Sequence, residues 1–125
     1  MKPLTDAHCH AHEFSETELE KFGEAFEVIV AVSDDLVSSE KTLSLSKRYV
    51  FLAPCVGVHP WALGDSDPCE LARGLEEIVR RGDACCVGEV GLDLAFVPQT
   101  FEKQLEFFRL ILDMARDYDM AVNVH

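Results

Sequence analysis

Apolar and polar positions along the chain follow two alternating periods. Short runs rich in β-branched residues read as strands: Leu4 to His10, Phe26 to Val32, Ala53 to His59, Ala84 to Val90 and Met120 to Val124. Pro54 fits only the first position of its strand, because it cannot donate to a sheet. Between the strands lie helical stretches. Ser15 and Glu18 write a capping box, with Phe14 and Leu19 as its hydrophobic staple and Gly23 as a stop. A second helix over Leu36 to Tyr49 is rich in Ser and weakly periodic. Asp67-Pro68-Cys69-Glu70 starts a third helix. Its inner face is Leu71, Leu75, Ile78 and Val79, its outer pairs are Glu76–Arg80 and Glu77–Arg81, and Gly82 ends it. The last helix, Pro98 to Tyr118, carries a core stripe of Phe101, Leu105, Phe108, Leu112 and Ala115.

Strand and helix alternate without linker or repeat, so the strands are parallel and joined by right-handed crossovers. Their continuous apolar character means that both faces are covered. This predicts an α/β domain over residues 1–125, a partial TIM-type (β/α) barrel of about five strands and four crossover helices. A doubly wound sheet fits the same order, but no G-x-G-x-x-G follows the first strand, which lowers the dinucleotide-binding version.

Composition narrows the function classes. A hydrophobic share of 48% with 27% charged residues excludes a disordered chain. Lys plus Arg is 11 against 23 Asp plus Glu, a net charge of −12, so no general basic surface holds nucleic acid. If phosphodiesters are handled, bound cations must supply the positive charge. The N-terminus lacks an apolar signal core and no run reaches the ~20 residues of a membrane helix. Five cysteines without a C-x-x-C pair read as reduced thiols of a cytoplasmic protein.

The chemistry-bearing residues sit at strand ends. His8, His10 and His12 follow the first strand, His59 the third, Glu89 closes the fourth and His125 follows the fifth. In a β/α barrel that rim collects catalytic groups. His8 and His10 are two residues apart, which turns both imidazoles to one side of a strand and suits a divalent metal, although exposed loop histidines share the spacing. Glu89 lies in an apolar run and needs a cation, either a metal or a barrel Arg or Lys. Asp6 can accept from an imidazole or cap a turn. His59 can contact a phosphate, with Trp61 beside it as a stacking face or a rim-packing aromatic. Asp93 suits a hydrogen bond near the site or a loop cap, and His12 reads as a loop residue rather than a third ligand.

With these residues in place, the chain resembles the TatD family of metal-dependent deoxyribonucleases, in the amidohydrolase-like TIM-barrel group. The matching stretches are Asp6-Ala7-His8-Cys9-His10, Gly57-Val58-His59-Pro60, Gly88-Glu89-Val90-Gly91-Leu92-Asp93 and Val122-Asn123-Val124-His125, with Gln104-Leu105. The resemblance implies hydrolysis of DNA phosphodiester bonds at two divalent ions, Mg, Mn or Zn. It implies that His8 and His10 ligate one metal, Glu89 bridges both, His125 ligates the second, and His59 and Asp93 lie at the substrate.

Family members run to roughly twice this length, about a full barrel. The resemblance therefore implies that the chain is the N-terminal half, without the late Asp that serves as general base, and of little activity alone. Two further functions fit: an inactive half-barrel that binds divalent metal or self-assembles, and another His-x-His phosphoesterase or amidohydrolase.

Overall fold

The computed structural model describes residues 3–125. Its strands are β1 (Leu4–Cys9), β2 (Phe26–Ala31), β3 (Leu52–Val56), β4 (Cys86–Val90) and β5 (Ala121–Val124). Helices α1 (Glu16–Ala25), α2 (Leu36–Arg48), α3 (Pro68–Arg80) and α4 (Phe101–Asp117) join them in turn. The five strands form one sheet in the order β1-β2-β3-β4-β5, every pair parallel. The sheet curls into a half-barrel with the helices on its outside. Its curvature shows at the rim, where the backbone of Ser33 after β2 bonds both Gly88 O (3.1 Å) and Glu89 N (2.9 Å) at β4.

The helix starts obey their local chemistry. Ser15 and Glu18 form the reciprocal capping box, and Asp67 caps α3 with Pro68 in its first turn. Phe14 packs on Phe22. Helix α1 runs through Gly23 to Ala25, because the missing Cβ there makes room for the Phe51 ring, 2.8 Å from where a Cβ would stand. The serines of α2 explain its weak periodicity. Ser38, Ser39 and Thr42 are buried, and Ser39 exchanges hydrogen bonds with Gly57 N (3.1 Å) and Gly57 O (3.2 Å), so this helix docks on the sheet through hydroxyls.

The main core packs α3 and α4 on β3 and β4, with Leu75, Phe107 and Ile111 wholly enclosed. Four expectations need correction. The buried stripe of α4 is Gln104, Phe107, Ile111, Met114 and Ala115, while Leu112 is 43% exposed. Gln104 belongs there because its amide bonds the backbone of Asp93 and Val97. Arg81 pairs with Glu40 of α2 rather than with Glu77. Pro54 lies inside β3, opposite Ala31, and uses its carbonyl to accept from Cys85 N at 2.8 Å. Cys55 and Cys86, register partners with Cα atoms 4.5 Å apart, are joined as a disulfide. The reduced-thiol argument for a cytoplasmic location therefore fails for this pair. Among the described residues, no helix is long and apolar enough to cross a membrane.

Candidate metal centre

The strand ends converge on the Glu89 carboxylate, whose side chain is only 5% exposed. Its Oε2 faces His8 Nε2 at 2.9 Å and His10 Nε2 at 3.2 Å. Its Oε1 faces His125 Nδ1 at 2.6 Å and His59 Nε2 at 3.2 Å. Two strand-end glycines make the crowding possible. A Cβ on Gly88 would meet Asn123 Cβ at 2.6 Å, and Gly91, at φ 153°, would bring one to 3.1 Å from His125 Cβ.

The outer partners of each imidazole fix its tautomer. Asn123 Nδ2 donates to Ala7 O (2.9 Å), so its Oδ1 is the acceptor facing His8 Nδ1 at 2.8 Å. His8 therefore carries a proton on Nδ1 and presents a lone pair at Nε2. His10 does the same, with Nδ1 against Asp34 Oδ1 at 3.1 Å. Both lone pairs aim at Glu89 Oε2, which is buried and has no hydrogen-bond partner in spite of its two near nitrogens. His59 is reversed. Its Nδ1 accepts from Trp61 N at 3.1 Å, leaving the proton on Nε2, which points into the site.

Charge in the site is mutually adjusted. Burial pushes the Glu89 carboxyl up, but the His125 hydrogen bond and the surrounding imidazoles of His59, His8 and His10 outweigh it and hold it below the usual carboxylate range. Burial pulls His125 down, and its hydrogen bonds to Glu89 and Asp93 raise it above its ordinary value. Burial leads at His59 and lowers it. Asp93 is held at about 2 by backbone N–H of Phe96, by Trp61 and by further donors including Ala95 N.

His8, His10, His59, Glu89 and His125 thus line one open cavity of about 540 Å³. Two overlapping sets, His8–His10–Glu89 and His59–Glu89–His125, each bring one ligand-type atom per residue within 4.8 Å. Asp93 stands beside them, 3.1 Å from His125 Nε2 and 2.6 Å from Trp61 Nε1. Asp6 takes neither role: within β1 its carboxylate accepts from the backbone His8 N at 2.9 Å. His12 lies in a buried 3-10 turn, its Nε2 3.0 Å from Asp34 Oδ2. Asp34 escaped the sequence reading, and Asn123 entered it only within the stretch Val122-Asn123-Val124-His125, with no role assigned. Asp34 follows β2 at the same rim as the histidines, and Asn123 shares strand parity with His125, so both carried a positional signal.

Comparison with known proteins follows the same residues. Residues 5–125 match the family described as TatD related DNase. A Danio rerio protein named "Putative deoxyribonuclease tatdn3" is 29% identical over 96% of this chain and 52% of its own length. The Bacillus subtilis "Uncharacterized metal-dependent hydrolase YabD" is 26% identical over 97% of the chain and 49% of its own length. The crystal structure of the Escherichia coli TatD homologue YjjV superposes with a TM-score of 0.81 at 26% identity, covering 98% of this chain and 50% of that one. The chain spans about half the length of the curated relatives it matches. With a match across residues 5–125 and this fold, the chain belongs to the TatD-related DNase family.

Proposed function

We propose that residues 1–125 form the N-terminal part of one TatD-like barrel domain that hydrolyses phosphodiester bonds of DNA with two divalent metal ions. One observation carries this reading: Glu89 Oε2 is buried without a hydrogen-bond partner and faces the lone-pair nitrogens of His8 and His10. Electron pairs facing one another at 2.9 and 3.2 Å need a positive charge between them, a proton or a metal ion, and this reading assigns the metal ion. In this reading His8 and His10 hold one ion, His125 the other, and Glu89 bridges both. The ions, when bound, polarise a phosphate oxygen and lower the pKa of an attacking water. They also offset the net charge of −12 where an anionic substrate approaches.

The remaining groups act without the ions. His59 directs its Nε2 proton into the cavity, where it donates to a phosphate oxygen. Asp93, expected at the substrate, has both oxygens engaged: Oδ1 by Ala95 N and Phe96 N, and Oδ2 by Trp61 Nε1 and His125 Nε2. We assign it to holding Trp61 and His125 in place. Zn²⁺ titration of the chain by calorimetry tests the ligand set. His8→Ala and Glu89→Gln each lower affinity at least about tenfold, and Glu76→Gln on the outside of α3 leaves it unchanged. Equal effects from Glu89→Gln and Glu76→Gln contradict the assignment.

A further inference from the structure

Trp61 is the chain's one tryptophan, and it lies at the lip of the Glu89 cavity with 54% of its surface exposed. Its orientation is nonetheless fixed. Trp61 Nε1 donates to Asp93 Oδ2 at 2.6 Å, and the ring stands T-shaped to His59, centroids 4.9 Å apart. Phe96, 75% exposed, leans on it at 5.4 Å, and His125 is 6.0 Å away. An open aromatic pair therefore stands at the cavity lip, Trp61 against the imidazoles of the proposed metal centre and Phe96 against the outer side of Trp61.

We infer that Trp61 and Phe96 form a stacking subsite for an unpaired nucleobase of single-stranded DNA, next to the phosphodiester held at Glu89. The inference rests on the proposed function. No Lys or Arg is among the described residues lining the cavity, and the chain is strongly acidic. An exposed, fixed aromatic supplies affinity of another kind, because every base has a face to stack and an unpaired base is free to use it.

The single tryptophan makes the test specific. In Mg²⁺, a phosphorothioate hexathymidylate quenches Trp61 fluorescence, and its 5′-fluorescein form binds about tenfold or more tightly than an abasic backbone of equal length. Trp61→Ala removes that advantage by weakening the hexathymidylate far more than the abasic backbone, and Trp61→Phe keeps most of it. Equal Kd for the two oligomers, equal weakening of both by Trp61→Ala, or no quenching at saturation overturns the subsite. Quenching and base preference that survive EDTA leave the subsite standing and count against the metal reading instead.

Discussion

Asn123 accepts from His8 Nδ1 at 2.8 Å while donating to Ala7 O at 2.9 Å, so the last strand of the sheet clasps the first. One side chain thereby closes the curve of the half-barrel and sets the tautomer of a proposed ligand. Outer partners of ligating imidazoles contribute strongly to affinity, typically 10–100-fold. Asn123→Ala is expected to weaken Zn²⁺ binding by about that factor while far-ultraviolet circular dichroism stays unchanged. Undiminished affinity would show that His8 needs no such partner.

The buried face of α4 gives a stability prediction. Ile111 is wholly enclosed, whereas its neighbour Leu112 is 43% exposed. Ile111→Ala is expected to cost about 2–5 kcal/mol in urea unfolding. Leu112→Ala is expected to cost under about 1 kcal/mol. The reverse order would place the α4 stripe where apolar periodicity alone puts it.

That contrast shows what was legible in the sequence. Strand–helix alternation, the Ser15 and Asp67 caps and the convergence of His8, His10, His59, Glu89 and His125 followed from periodicity and strand-end position, which are local. Gln104 was not legible as a core residue, because its burial depends on the backbone of Asp93, eleven positions earlier. The Cys55–Cys86 pairing depends on the β3–β4 register, and the docking of α2 depends on hydroxyl bonds such as Ser39 to Gly57. Asp34 and Asn123 looked like ordinary polar residues until the fold supplied the imidazoles they face.

The capping box of α1 carries a pH signature. Ser15 N–H donates to the Glu18 carboxylate at 2.8 Å and, with the Ser15 hydroxyl, holds that carboxyl below its ordinary value. A carboxyl lowered by folding stabilises the fold above its unfolded pKa of about 4.3, and this contribution disappears as pH falls through the lower folded value. The melting temperature gap between wild type and Glu18→Gln should therefore narrow as the solution is acidified below about pH 4. A gap independent of pH would exclude the carboxylate form as its source.

The central claim concerns which ring nitrogens of His8 and His10 are free to bind a cation. Histidine ¹⁵N spectra of the chain, recorded while Zn²⁺ is added, report each nitrogen separately. The expected result is that Nε2 of both residues shifts to the metal-bound range while both Nδ1 nitrogens stay protonated against Asn123 and Asp34. Binding through Nδ1, or no change at either residue on saturation with Zn²⁺, would contradict the metal centre described here.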